Sequence, residues 1–225
     1  MKTIELFSGT QSFSKVAREL GHETFAVEID KTFESDLCAD ILEIQREDLP
    51  KDIDVLWASP PCTTFSVASL RYYWKNGKPK NAKTWNGISM IMKTIDLIKE
   101  IQKDNPDLIW FIENPRGMLR KQDIMQSFKR NTISYCQYGL DIMKPTDIWN
   151  NCDNWIPRPM CKPGASCHQR AGRGAKNGVQ GIYNLEWEKK RGGSARARAV
   201  IPSELFHEIF NSININSAKK SEGVL

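Results

Sequence analysis

The feature that most constrains the fold is a regular alternation of short apolar strands with amphipathic helices. Residues 4–7 form a β-rich apolar run, and residues 11–20 follow with apolar side chains at helical spacing. The pattern recurs in residues 54–58, 87–103 and 108–112. Strand, helix, strand units of this kind require parallel strands joined by right-handed crossovers. The sequence therefore predicts an α/β fold built on a mostly parallel, doubly wound sheet.

Four other segments complete the outline. Residues 24–29 predict the second strand, and residues 133–138 and 146–149 predict two weaker ones. Residues 63–85 lack clean periodicity, which predicts a long functional loop. A helical pattern resumes at residues 202–210.

The length of 225 residues favours one α/β domain with a small appendage. We predict a catalytic body over residues 1–150, a small irregular recognition segment over 151–200, and a closing helix with a polar tail over 201–225. Ten basic residues against three acidic ones give residues 151–200 a net charge of +7. The whole chain carries +5, so the remaining residues carry −2. This segment is either a face that meets a polyanion or a solvated basic loop.

Composition excludes several other classes of protein. No apolar run approaches the roughly 20 residues needed to cross a bilayer, and the first residues lack the apolar core of a secretory signal. We therefore expect a cytoplasmic chain without a membrane partner. Six cysteines are too sparse for a disulfide scaffold, so each is expected to be packed, metal-bound or reactive.

Candidate site residues follow the predicted strands. Gly9, Glu28, Asp40, Cys62 and Glu113 all lie at or beyond strand ends. In a parallel sheet, the carboxyl ends of the strands meet at one rim, where ligands bind. We expect these side chains to converge there although they are far apart in the chain.

The first of these turns has the residues that a nucleotide-like cofactor requires. Gly9 permits close backbone approach before the amides of a helix start, and Glu28 could accept hydrogen bonds from ribose hydroxyls. A purely conformational role for Gly9 stays open at this point.

Cys62 follows two prolines that hold it rigidly, as a nucleophile must be held; a packed thiol is the alternative. Burial of Glu113 would raise its pKa and let it act as an acid, whereas a surface glutamate would not.

The motifs as a set resemble the C5-cytosine DNA methyltransferase family. The set consists of FSGTQSFS (7–14), AVEID (26–30), ADI (39–41), SPPCTTFS (59–66) and ENP (113–115). It covers roughly the first two thirds of the chain. The resemblance implies a Rossmann-like class I methyltransferase fold, S-adenosylmethionine as cofactor and DNA as partner, in a short, divergent, phage-like member of the family.

The resemblance also assigns roles position by position. The catalytic residues would be Cys62 and Glu113. The cofactor would be held by Phe7, Ser8, Gly9, Thr10, Glu28, Ile29, Asp40, Ile41 and Pro60. Substrate would be contacted by Pro61, Thr63, Ser66, Asn114, Arg170 and Arg173. An arginine pair that the family places after its sixth strand is not evident in residues 138–149, where Lys144 and Pro145 stand.

The implied reaction is methyl transfer to C5 of cytosine through a covalent bond between Cys62 and C6, on a base flipped out of the duplex. The same chemistry on tRNA or on a free cytosine nucleotide stays open, as does a catalytically silent nucleic-acid-binding protein. We expect a monomer that acts in a bacterium or a phage-infected host, in the setting of restriction and modification.

The late cysteines form a separate pattern. Cys152, Cys161, Cys167 and His168 have the ligand types of a structural zinc site. The alternative is a set of reduced cysteines in a loop that the main domain orders. Cys38 and Cys136 are interpreted as packing residues.

Overall fold

The computed structural model describes residues 1–168 and 199–222, with side chains described up to residue 214. In chain order, the elements of these residues are β1 (Lys2–Leu6), α1 (Ser12–Glu19), β2 (Glu23–Glu28), β3 (Leu37–Cys38), β4 (Val55–Ala58), α2 (Leu70–Tyr73), β5 (Trp74–Lys75), β6 (Lys78–Pro79), α3 (Ala82–Asp104), β7 (Ile109–Pro115), β8 (Arg130–Ser134), β9 (Pro145–Asn150) and α4 (Ser203–Glu222).

Seven of the strands form one sheet in the order β3-β2-β1-β4-β7-β9-β8. The five strands from β3 to β7 run parallel, and β9 is antiparallel to both of its neighbours. This arrangement confirms the predicted mostly parallel sheet. The strand order reverses between β1 and β4, and an open α/β sheet binds its ligand in the crevice beyond such a reversal.

Apolar side chains cover both faces of the sheet. On one face, Ile91 and Ile98 of α3 pack on Leu56 of β4 in the larger buried cluster. On the other face, the Phe13 ring of α1 lies 6.0 Å from the ring of Trp57 and 5.4 Å from that of Phe206. Helix α4 therefore packs on the same face as α1. The sheet is thus packed on both faces, which keeps the carboxyl ends of its strands in fixed positions.

The structure corrects the end of one predicted strand. Strand β8 ends at Ser134, and residues 135–138 form a 3₁₀ turn instead of continuing the strand. Gly139 ends the turn with a φ of +86°, a conformation that glycine adopts without strain. Strand β7, in contrast, runs longer than predicted because Asn114 and Pro115 pair with β9.

The predicted loop over residues 63–85 was also wrong. This segment contains α2, the β5-β6 hairpin and the start of α3. Trp74 is buried, and its indole N–H donates to the Thr64 carbonyl over 2.6 Å. Aromatic packing of this kind gives an irregular sequence a fixed shape without helical or strand periodicity.

Most of the predicted recognition segment lies outside the described residues. The structure describes residues 151–168 and 199–200 of it, so Arg170 and Arg173 fall outside. The division into three parts stays a prediction. Within the part of the chain that is described, no helix combines the length and apolar character needed to cross a bilayer.

Candidate active site

Two turns and one strand end meet at the carboxyl rim of the sheet. The chain leaves β4 through Ser59, Pro60 and Pro61 to Cys62. On the neighbouring strand β7, the Asn114 amide donates from Nδ2 to the Pro60 carbonyl over 2.9 Å. Asn114 is fully buried. This hydrogen bond fixes the Cys62 turn beside Glu113, the residue that precedes Asn114.

Cys62 begins a one-turn 3₁₀ helix, Cys62–Thr64. Its carbonyl accepts from the amides of Phe65 and Ser66 over 3.0 and 2.9 Å, which closes the turn. The Cys62 sulfur is in no disulfide and the residue has intermediate exposure. It therefore lies in a rigid turn and is partly open to solvent, as a nucleophile requires.

A close backbone contact fastens this turn to the chain beyond β7. Ser66 forms a β-bridge with Gly117, and the Met118 amide donates to the Phe65 carbonyl over 2.7 Å. A Cβ added at Gly117 would lie 2.2 Å from that carbonyl oxygen. Only glycine permits this approach.

Glu113 is 5% exposed, and burial raises the pKa of its carboxyl group. Three groups oppose the rise in pKa: the Lys144 ammonium and hydrogen bonds from Tyr135 and Ser59. The Tyr135 hydroxyl donates to Glu113 Oε1 over 2.9 Å. A carboxyl group with a raised pKa and a fixed orientation can supply a proton to a ligand at this rim.

Tyr135 and Lys144 were not identified from the sequence as site residues. The Lys144 ammonium lies 4.8 Å from the centroid of the Tyr135 ring, and both residues flank the connection from β8 to β9. Burial, followed by the charge of Glu113 and the hydrogen bond to it, raises the pKa of the Tyr135 hydroxyl well above its ordinary value. The missing arginine pair drew attention to residues 138–149, which contain Lys144 but not Tyr135.

On the opposite side of the cleft, the β1 turn and the end of β2 are bonded to each other. The Gly9 amide donates to Glu28 Oε2 over 2.7 Å. Glu28 Oε1 accepts from the amides of Ile29 and Asp30 over 2.9 and 3.0 Å. Gly9 has a φ of +44°, so its role includes the backbone freedom that the sequence left open.

A cavity of about 170 Å³ lies between these groups, and its lining consists of Phe7, Val27, Glu28, Ile29, Ala39, Asp40, Ile41, Ser59, Pro61 and Met90. Five of these residues belong to the predicted cofactor set. Ile29 is 55% exposed, which leaves an apolar side chain available to a ligand. The Ser8 hydroxyl is buried without a hydrogen-bond partner among the described residues. Carboxylates, an apolar side chain and a glycine turn together fit a nucleoside-containing cofactor.

A larger hollow of about 740 Å³ lies at the opposite end of the strands. Met1, Asp54, Asn105 and Ile213 contribute to its lining. It contains no member of the predicted catalytic or cofactor set. We assign no ligand to it because the ligands of parallel sheets bind beyond the carboxyl ends.

The remaining predicted contacts differ in accessibility. Pro61 and Thr63 are exposed and Ser66 is half-buried, whereas Asn114 is fully enclosed. Asn114 therefore holds the Pro60 carbonyl instead of facing the cleft. Thr10 is directed toward α1, where its hydroxyl lies 3.1 Å from that of Ser12.

Glu5 is a buried acid that sequence reasoning missed. It accepts from the amides of Phe13 and Ser14 over 3.3 and 2.9 Å, at the start of α1. Gln11, the residue before α1, makes no capping hydrogen bond with its side chain. Burial raises the pKa of Glu5 to about 7. A carboxylate thus caps the helix from a neighbouring strand, a contact that local sequence patterns do not reveal.

The structure also regroups the late cysteines. The ligand atoms of Cys136, Cys161, Cys167 and His168 all lie within 4.8 Å of one another. Three of these residues belong to the predicted set. The fourth predicted ligand, Cys152, is buried elsewhere, with its Sγ 3.9 Å from the Ser212 hydroxyl of α4.

Sequence comparison identifies the family. The sequence model of C-5 cytosine-specific DNA methylases matches residues 1–142, more than half of the chain. The chain belongs to the C-5 cytosine-specific DNA methylase family. A probable DNA (cytosine-5)-methyltransferase of Frog virus 3 is 27% identical over 175 residues, which are 74% of this chain and 78% of the viral protein. The family, fold class and enzyme class predicted from the sequence are confirmed.

Solved methyltransferases share only low sequence identity with this family member. The Dnmt2 methyltransferase of S. pombe is 11% identical, with a TM-score of 0.45, over 67% of this chain and 48% of the other. The EhMeth methyltransferase of Entamoeba histolytica is 15% identical, with a TM-score of 0.45, over 72% and 57%. The chain thus spans about half the length of these structures.

Proposed function

We propose that this family member transfers a methyl group from S-adenosylmethionine to C5 of cytosine in DNA, with Cys62 as nucleophile and Glu113 as acid. The observation that carries the proposal is the Asn114 hydrogen bond to the Pro60 carbonyl. It supports the assignment because it fastens the turn that carries the Cys62 thiol to strand β7, which carries the buried Glu113 carboxyl group, at one rim of the sheet. Family membership supplies the class of reaction.

The two side chains have complementary chemistry. C5 of cytosine is a weak nucleophile, so the Cys62 thiolate first adds to C6 while Glu113 donates its proton to N3. The electrons of the ring then make C5 nucleophilic enough to accept a methyl group. The C5 proton is then lost to solvent, the Cys62 sulfur departs from C6 as a thiolate, and the N3 proton returns to Glu113, which restores the aromatic ring. The raised pKa of Glu113 keeps its proton available for the first step.

S-adenosylmethionine supplies an electrophilic methyl group when it is bound. Its proposed ligands are Glu28 for the ribose hydroxyls and Asp40 for the adenine amino group, with Ile29 packed on the ring. Asp40 Oδ1 already accepts from the Leu42 amide over 3.0 Å, which leaves Oδ2 for the ligand.

DNA is the proposed polymer because the family is one of DNA methylases and residues 151–200 carry a net charge of +7.

Glu113 is 5% exposed, so a cytosine inside a duplex could reach it only after flipping out of the stack. Exposed aromatic residues on this side of the chain, such as Tyr72 of α2 and Trp85 near the start of α3, could then stack on or close over the displaced base. We propose that the protein acts as a monomer. The Frog virus 3 relative is consistent with synthesis in an infected host.

The test is transfer of labelled methyl groups from S-adenosylmethionine to duplex DNA, tRNA and dCMP in parallel. We expect 5-methylcytosine in the DNA alone. Cys62→Ser should abolish transfer, whereas Cys38→Ser, an exposed cysteine at the edge of the sheet, should leave it unchanged. Label in tRNA or dCMP would reassign the substrate, and no labelled product from any of the three would reject the enzyme.

The covalent step has its own test. DNA with 5-fluorocytosine at target positions cannot lose a C5 proton, so the protein should stay bonded to it through Cys62. A denaturing gel would show this complex with the unaltered protein and with Cys38→Ser. Methylation of normal DNA without a trapped complex would contradict the covalent mechanism.

A further inference from the structure

Four potential metal ligands converge from two distant parts of the chain. Cys136 lies in the 3₁₀ turn after β8, while Cys161, Cys167 and His168 follow β9. The Cys161 and Cys167 sulfurs are 3.3 Å apart, and each lies 3.5 Å from His168 Nδ1. Ligand atoms around a tetrahedral zinc ion are separated by about 3.5–3.8 Å, given bonds of about 2.3 Å to sulfur and about 2.0 Å to nitrogen. The two sulfur–nitrogen distances therefore match edges of a zinc coordination tetrahedron, while the two sulfurs lie closer together than in such a site. The Cys136 sulfur completes the set within 4.8 Å of the other ligand atoms.

The backbone is shaped to bring the late ligands together. Gly164 has a φ of +93°, and the Ala165 amide donates to the Lys162 carbonyl over 3.2 Å. This turn reverses the chain between Cys161 and Cys167. A separate turn and bend over residues 166–168 gives the bent backbone that adjacent residues Cys167 and His168 need if both are to bind one ion.

Groups around the cluster support its sulfurs. The Gln137 amide donates from Nε2 to the Cys167 sulfur over 3.4 Å. The Cys161 amide donates to the Ser134 hydroxyl over 3.2 Å. Outer contacts of this kind orient ligands in metal sites. Cys136 and Cys161 are buried while Cys167 is exposed, so an ion has a path to the site from solvent.

The two halves of the segment that carries the late ligands are held differently. Residues 151–168 contain neither helix nor strand. Before Cys161, Trp155 is buried in the core and Arg158 pairs with Glu204 and Glu208 of α4. Cys167, in contrast, is exposed. A metal ion would fix the part from Cys161 to His168 to the main domain.

We propose that Cys136, Cys161, Cys167 and His168 bind one structural zinc ion, with Cys152 outside the site. Each thiol loses a proton to solvent on binding, and the neutral imidazole binds through Nδ1. Three thiolates and one imidazole give a closed four-coordinate site, without an open position for substrate. The ion would fasten the beginning of the basic segment to the turn that also carries Tyr135.

Metal analysis of protein purified without chelator tests this ligand set. We expect about one equivalent of zinc in the unaltered chain and in Cys152→Ser, and a loss of zinc in Cys136→Ser and Cys167→Ser. Loss of metal from the Cys136 variant could result from misfolding because Cys136 is buried. Substitution of the exposed Cys167 should leave the core packing unchanged, so loss of metal from that variant reports on the ligand itself. Cobalt exchanged into the site should show the visible absorption of tetrahedral thiolate coordination.

Two results would overturn the proposal. Folded protein that contains far less than one equivalent of zinc and develops no cobalt absorption would show that the cysteines are simply reduced. Loss of the metal in folded Cys152→Ser, with retention in Cys136→Ser, would replace this ligand set with the one that the sequence spacing suggests. Neither result depends on methyltransferase activity.

Discussion

Removal of one buried hydroxyl should shift the pH dependence of the proposed reaction. In Tyr135→Phe, Glu113 loses the hydrogen bond that it accepts over 2.9 Å. A hydrogen bond to a charged group contributes about 1.5–3 kcal/mol, and about 1.4 kcal/mol corresponds to one pKa unit. Because this bond lowers the pKa of Glu113, its removal should raise that pKa further, by about 1–2 units.

The assay is the pH profile of kcat with DNA at saturating concentrations. If Glu113 must be protonated to donate to N3, the alkaline limb of the profile should move to higher pH by the same about 1–2 units. Tyr138→Phe is the matched control because Tyr138 is equally buried in the same turn, with its hydroxyl donating to Glu208 over 3.0 Å. An alkaline limb that stays in place or moves to lower pH in Tyr135→Phe would refute the role of Glu113 as acid.

Three further substitutions test the framework of the site. Asn114→Ala leaves the Pro60 carbonyl without its donor, so unfolding in urea should show a loss of about 1–3 kcal/mol and kcat should fall; an unchanged kcat would contradict the positioning role. Gly117→Ala places a Cβ 2.2 Å from the Phe65 carbonyl oxygen and should cost about 1–3 kcal/mol, which an unchanged urea midpoint would disprove. Burial raises the pKa of Glu5 from 4.5 to about 7. Protonated Glu5 therefore stabilises the fold below pH 4.5, and this stabilisation is lost as the pH rises through 7. In Glu5→Gln the free energy of unfolding should decline over this range by about 3 kcal/mol less than in the unaltered protein, and parallel plots of unfolding free energy against pH for the two proteins would contradict the raised pKa.

The sequence allows prediction of the groups at the ends of β1, β2, β4 and β7, because parallel strands bring their carboxyl ends to one rim wherever the connections run. It does not allow prediction of the partners of Glu113. Tyr135 reaches Glu113 only because β9 inserts between β7 and β8. That insertion depends on pairing between distant residues, which hydrophobic periodicity does not encode.

The choice between Cys152 and Cys136 shows the same limit. Spacing along the chain groups Cys152 with Cys161, its nearer neighbour in sequence. Antiparallel pairing of Ser134 with Pro145 places the β8 turn at the start of β9. The chain that leaves the other end of β9 returns to this turn, where the Cys161 amide donates to the Ser134 hydroxyl and the Arg158 guanidinium donates to the Gln137 carbonyl. The ligand set is therefore selected by tertiary contacts of the returning chain, which a motif on one stretch of sequence does not contain.

The 3₁₀ turn of residues 135–138 is where the proposed catalytic and metal sites meet. Tyr135 donates to Glu113, and the next residue, Cys136, belongs to the metal-ligand cluster. Gly139 fixes the end of the turn, where a Cβ would lie 2.6 Å from a carboxylate oxygen of Glu204 on α4. Neighbouring residues of a short hydrogen-bonded turn cannot move independently. A displacement of the cluster would therefore move the hydroxyl that orients Glu113, so the placement of residues 161–168 and the orientation of the proposed acid depend on the same few backbone bonds.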